Sequence, residues 1–156
     1  MLDATDLRIL ALLQADARMP NTEIAKHVDL VPSAVLERIR RLEKKGVIEG
    51  YAARVNPKAL GLGLAAYVAV RIEGRPTFAV DTAKQLAKLP EVLEVHNVAG
   101  LDCLLVKVRA ADTEDLARVL RESFGGIRSI KSTRTTVVLE TVKETSALPT
   151  QPQERG

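Results

Sequence analysis

At 156 residues, 46% hydrophobic and 28% charged, with a formal net charge of +3, the chain fits one or two globular domains and excludes fibrous and wholly disordered classes. Aromatic residues are only 3%, so the core must be aliphatic and single-stranded nucleic acid has few rings to stack on; the single cysteine, Cys103, excludes an internal disulfide or a multi-cysteine zinc site. With no apolar run of membrane-spanning length, and with Asp3 and Asp6 where a signal peptide would be basic, a cytoplasmic protein without a membrane partner is expected.

Asp3 is a candidate N-cap, with Asp6 in the capping-box position and Leu7, Leu10 and Leu13 forming a helical stripe. Asn21 reads as the N-cap of a short second helix after Pro20, with Ile24, Ala25 and Val28 on one face. "VDLVPS" breaks the chain. Pro32 suits the first turn of a third helix and Gly46 its end, with Lys44 and Lys45 well placed against the helix dipole.

Two short helices joined by a tight turn, the second one basic, form the helix-turn-helix pattern. The stretch "PSAVLERIRRLEKKG" holds five Lys/Arg against two Glu. With its apolar residues inward, Ser33, Ala34, Glu37, Arg38, Arg41 and Lys45 lie outside. Arg can pair with guanine in the major groove, whereas Lys and helix ends hold phosphates. Asn21 and Thr22, at the start of the second helix, complete the candidate DNA contacts. The plain alternative is a solvated helix with ion pairs such as Glu37–Arg41. The short capped helix ahead of it favours double-stranded DNA.

"VIEGYAARVNPKALGLG" reads as a strand and a Gly/Pro-punctuated linker. In "LAAYVAVRIE", Leu64, Ala66, Val68, Val70 and Ile72 alternate with the nearly as apolar Ala65, Tyr67 and Ala69, which predicts a strand buried on both faces. A helix over 77–89 follows, with Val80, Ala83, Leu86 and Ala87 on one side and Pro90 ending it. "VLEVHNV" and "CLLVKVRA" are strands joined by "AGLD". Asp112 caps a further helix that turns Leu116, Val119 and Leu120 inward and closes at Gly125-Gly126; "IRSIKSTRTTVVLE" is the last strand.

This β-α-β-β-α-β order predicts an α+β fold, a ferredoxin-like antiparallel sheet of four strands with both helices on one face. The other face, also apolar, calls for a second copy in a two-fold dimer. Such a dimer would read two half-sites one turn, roughly 34–36 Å, or a multiple of it apart. The final "TSALPTQPQERG" has little to bury and is expected to be disordered.

Four stretches, "LDATDLRILALLQADAR", "EIAKHVDLVPSAVLERIRRLEKKGVIEGY", "NPKALG" and "VHNVAGLDCLLVKVRAADTEDL", resemble the leucine-responsive regulatory protein/AsnC family of prokaryotic transcription regulators. Placed in family order, they cover about residues 2–140. The resemblance implies a winged helix-turn-helix over residues 1–50, a strand and linker over 51–62, a ferredoxin-like ligand-binding and oligomerisation domain over 63–142 and a tail over 143–156. It also implies homodimers, often assembled into octamers, and control by an amino acid or similar molecule. Two positions depart from the family pattern: Asp29 replaces the usual turn glycine, and Val31 the usual capping serine.

The resemblance places the effector at a turn that is one residue shorter here, Gly100-Leu101-Asp102. Backbone amides would hold a carboxylate and Asp102 an ammonium group, with Thr133, Thr135 and Thr136 adding hydroxyl contacts. An ordinary hairpin turn, and threonines acting as simple strand formers, are the alternatives.

His27 and His96 are far apart in sequence and lack further ligands nearby, so no metal, cofactor or catalytic residue is expected. The expected function is a sequence-specific DNA-binding transcriptional regulator modulated by a small effector. The alternatives are a siroheme decarboxylase-like enzyme, for which His96 alone is available in the second domain, and an architectural DNA-binding protein.

Overall fold

A computed structural model, describing residues 2–73 and 76–150, divides the chain into two units. One is formed by the chain up to Ala53 with the segment from Lys143, the other by Arg54–Val142.

In the first unit, α1 (Ala4–Ala15) opens with a reciprocal capping box: the Asp3 carboxylate accepts the Asp6 N–H at 2.7 Å, and Asp6 accepts the Asp3 N–H at 3.3 Å. Helix α2 spans Asn21–Val28. The expectation that Asn21 caps it is corrected by one residue. Pro20 is the cap, its carbonyl accepting the N–H groups of Glu23 and Ile24, while Asn21 is already helical. Asp29 ends α2 in the left-handed region (φ 56°, ψ 49°), a conformation that glycine adopts at less cost.

Helix α3 (Pro32–Lys44) starts at Val31 without a side-chain cap. Its C-terminus is better satisfied. Gly46, at φ 67°, donates to Glu43 and Val47 donates to Leu42, the paired bonds of a Schellman motif. Ile9, Leu13, Ile24, Ala25, Val28, Val35 and Ile39 form the core of the unit. Ala25 is 3% exposed, and its methyl group lets α2 and α3 approach closely.

The strand expected after Gly46 is absent: residues 47–63 contain only a 3₁₀ turn, Pro57–Leu60. A strand needs a ladder partner, and among the described residues none pairs with this segment. Residues 143–150 hold no helix or strand. Leu148 is nevertheless tied by its backbone to the Gln14 carboxamide, donating at 2.7 Å and accepting at 2.9 Å. Residues 151–156 lie outside the described residues.

The second unit contains β1 (Leu64–Ile72), α4 (Pro76–Leu86), β2 (Val92–Asn97), β3 (Leu104–Ala110), α5 (Thr113–Arg118, continuing as a π-helical turn over Val119–Phe124) and β4 (Ile130–Val137). The sheet order is β2-β3-β1-β4, antiparallel throughout, as the β-α-β-β-α-β reading requires. Ala66, Val68 and Val70 of β1 pack with Leu104, Val106 and Val108 of β3 and with Leu86, Leu116, Val119 and Phe124 from the helices.

Two facings differ from expectation. Val80 and Ala87 of the α4 region are exposed, while Thr82 is buried because its hydroxyl bonds both the Phe78 carbonyl and the Ser129 hydroxyl. Strand β1 is buried continuously along one face only: on the other, Ala65 is buried and Ala69 half-buried, but Tyr67 is 37% exposed and Arg71 is exposed.

Candidate nucleic-acid interface and ligand turn

Val35, Ile39 and Leu42 anchor α3 to the first unit. At 100° per residue, the direction opposite to them is occupied by Ser33, Glu37, Arg40 and Lys44, all exposed. Of the sequence candidates, Ser33, Glu37, Thr22 and Lys45 are exposed, and Ala34 and Asn21 half-buried.

Arg38 and Arg41 are drawn aside toward α1. Arg38 bonds Asp3 at 2.7 Å and Asp6 at 2.8 Å, and Arg41 reaches both Asp6 oxygens at 2.9 Å. Burial raises the Asp6 pKa, but the Arg38 hydrogen bond, the Asp3 amide and the Arg41 charge outweigh it and hold the carboxyl below its ordinary range. The Arg38 hydrogen bond does the same for Asp3, and the guanidinium pKa is raised in return. Arg38, 26% exposed, is therefore a strut between helices, whereas Arg41, at 47%, keeps part of its surface outward. Arg40 and Lys44 were missed by sequence reasoning, although rotation from the buried triplet points to them.

In the second unit, residues 99–102 close the β2–β3 hairpin, with the Val98 N–H donating to the Cys103 carbonyl at 3.1 Å. The Cys103 N–H bonds the Val70 carbonyl at 2.9 Å, tying the turn to β1. Gly100 has φ 150° and Leu101 is 81% exposed. Asp102, with a side chain 19% exposed, is bonded by Arg134 at 2.5 Å.

The three threonines are not brought together. Thr133 and Thr135 lie opposite Val70 and Val68, on the helix-covered face, and Thr136 lies opposite Tyr67 on the bare face. That bare face also carries Glu94, His96 and Lys107, with Glu94 held by His96 and Lys107, each at 3.2 Å. These bonds outweigh burial and lower the Glu94 pKa. An open cleft of about 640 Å³ near Phe78, Asp81 and Arg128 is lined by none of the six candidate effector residues.

Two family models match the chain: "Winged helix-turn-helix DNA-binding" over residues 2–49 and "Lrp/AsnC ligand binding domain" over residues 65–148. The chain belongs to the Lrp/AsnC family of transcriptional regulators. It is 38% identical to the HTH-type transcriptional regulator FL11 of Pyrococcus horikoshii, over 95% of this chain and 96% of that protein. It is also 38% identical to the leucine-responsive regulatory protein of Escherichia coli, over 94% of this chain and 90% of that protein.

Among solved structures it is similar to the transcriptional regulator NMB0573 of Neisseria meningitidis, crystallised as an L-Met complex (TM-score 0.90, 31% identity, 96% of this chain and 97% of that one). Escherichia coli AsnC superposes with a TM-score of 0.88 at 26% identity, over 94% of this chain and 97% of that one.

The Lrp/AsnC assignment gives each unit a role: the DNA-binding match falls on α1–α3 and the ligand-binding match begins at β1. The named relatives are transcriptional regulators. No helix among the described residues is long and apolar enough to cross a membrane.

Proposed function

We propose that this Lrp/AsnC-family chain acts in the cytoplasm as a homodimeric, sequence-specific DNA-binding regulator, further assembled to an octamer, whose binding or assembly responds to an amino acid. The observation that carries the reading is the outward stripe Ser33, Glu37, Arg40 and Lys44 on a helix anchored by Val35, Ile39 and Leu42. Ser33 and the nearby Ala34 approach the groove edge, Glu37 and Arg40 face bases, and Lys44 and Lys45 hold phosphates. Asn21 and Thr22 meet the backbone, and Arg41 contributes through its exposed half.

The dimer forms through the bare sheet face, where Tyr67 is left exposed. The effector lies at Gly100-Leu101-Asp102, with Thr136 on the same sheet side as Arg134. The L-Met complex of the Neisseria meningitidis relative supports an amino acid as the ligand class.

The test is fluorescence anisotropy with selected and random duplexes, from about 50 to 200 mM salt. Specific binding should weaken by orders of magnitude over that range. Arg40→Ala should relax base preference, and Lys44→Ala should weaken every duplex and lower the salt slope by about one. Equal affinity for selected and random DNA would refute sequence-specific reading. Sedimentation with and without each of the twenty amino acids tests assembly and its control.

A further inference from the structure

The acid proposed to receive an effector's ammonium group already has a cation on it. Asp102 is held by Arg134, which reaches it from β4. Strand β1 lies between β3, which the turn precedes, and β4. The guanidinium must therefore cross β1, and the residue opposite Arg134 on β1 is Ala69, whose small side chain leaves room for the crossing. The two ends of the pair differ: the Asp102 side chain is 19% exposed, that of Arg134 71%. The acid is fixed in the turn by the bond from Cys103 to Val70, while the base is a long, flexible side chain that can swing away.

We infer that Arg134 is a specificity-determining residue that pairs with Asp102 and is re-used when ligand binds. This rests on the effector reading above. An α-amino acid carries one cation and one anion on the same carbon. Its ammonium takes the place of the guanidinium on Asp102, and its carboxylate takes the freed guanidinium. One internal ion pair becomes two across the ligand, and no charge is left unpaired. A simple amine can displace Arg134 but leaves it without an anion. A simple carboxylate can draw Arg134 away but leaves Asp102 without a cation. The site therefore selects the zwitterion through exchange, in addition to whatever the side-chain pocket selects.

The test uses the full chain, its Arg134→Ala and Arg134→Lys variants, and calorimetric titration with the twenty L-amino acids. For each one that binds, the decarboxylated amine and the deaminated acid are titrated as well. Arg134 lies on the face proposed to pair in the dimer, so circular dichroism checks that both variants fold and sedimentation that both still dimerise. The wild type should prefer the amino acid over its amine by about ten- to a hundredfold, the range of one charge-assisted hydrogen bond. Arg134→Ala should bring the two within about threefold, because the amine no longer displaces a cation and the amino acid no longer gains one. Arg134→Lys should keep an intermediate preference.

An unchanged preference in Arg134→Ala would overturn the exchange and leave the effector reading standing. Binding of no amino acid by any of the three proteins would overturn the effector reading itself, and the exchange with it.

Discussion

Removing the Asp6 carboxylate should loosen the DNA-binding unit more than any other single polar change there. Its side chain is 2% exposed and accepts bonds from Arg38 and Arg41, with the Asp3 amide as a third donor. Breaking a fully buried pair costs about 3–5 kcal/mol. Here Arg38 and Arg41 are 26% and 47% exposed, and Arg38 retains Asp3 at 2.7 Å, so part of the orphaned charge is rehydrated or re-paired. Asp6→Ala should therefore cost about 2–3 kcal/mol, one to two charge-assisted bonds, and Asp6→Asn about half of that because its amide oxygen still accepts. Against a typical total of about 5–15 kcal/mol this is a large fraction.

Urea denaturation followed by far-UV circular dichroism measures the loss, and a double-mutant cycle with Arg38→Ala should give a coupling of about 1 kcal/mol. The pH dependence supplies an independent check. Both Asp3 and Asp6 have folded pKa values below the ordinary range. Their contribution is thus complete above about pH 4, the unfolded value, and is lost as pH falls through the folded values. Asp6→Asn should flatten that acid limb. A stability of Asp6→Ala within about 0.5 kcal/mol of wild type would refute the strut.

Val31→Ser should stabilise the first unit by about 1 kcal/mol, because Val31 is the α3 N-cap, has extended backbone (φ −77°, ψ 149°) and offers no side-chain acceptor; thermal melts decide it. Gly46→Ala should cost about 1 kcal/mol through φ 67° alone, since an added Cβ there meets nothing within 4 Å. Gly125→Ala fails for the opposite reason. Its φ of −63° suits any residue, but the Cβ would lie 2.2 Å from the Arg121 carbonyl oxygen. A loss of about 1–3 kcal/mol is expected from overpacking, read by the same urea denaturation.

What was legible in the sequence was local or periodic. Asp3 with Asp6, and Asp112 with Asp115, are caps written within four residues, and both form. The order of strands and helices followed from alternation against helical spacing. What escaped was set by partners distant in sequence. Asp6 and Arg38 are separated by 32 positions, so a helix that looked like a row of DNA-facing arginines has one turned inward. The hydroxyl of buried Thr82 finds its partner in Ser129, 47 positions on, which no local pattern marks. The missing strand after Gly46 is the same lesson in reverse: extended propensity without a partner in the chain yields no ladder. On the turn, the sequence pointed to Asp102 and to threonines of the last strand but not to Arg134, because only the register puts Arg134 opposite the small Ala69 and lets it reach across β1.

The two departures from the family pattern and the Asp6 strut belong to one design. With Asp29 strained at the end of α2 and Val31 offering no cap, the N-terminal end of α3 has weak local support. Its position then depends on tertiary contacts: Val35, Ile39 and Leu42 below, and Arg38 pulled onto Asp6 at the side. The same pull holds the Arg38 guanidinium against Asp3 and Asp6. Replacing both Asp3 and Asp6 with Ala would remove both acceptors of Arg38 and release it toward phosphates, while loosening the helix that carries Arg40 and Lys44. Phosphate contact is sequence-independent and helix placement is not, so the two effects separate in one titration: random duplex should bind more tightly while discrimination between selected and random duplex narrows.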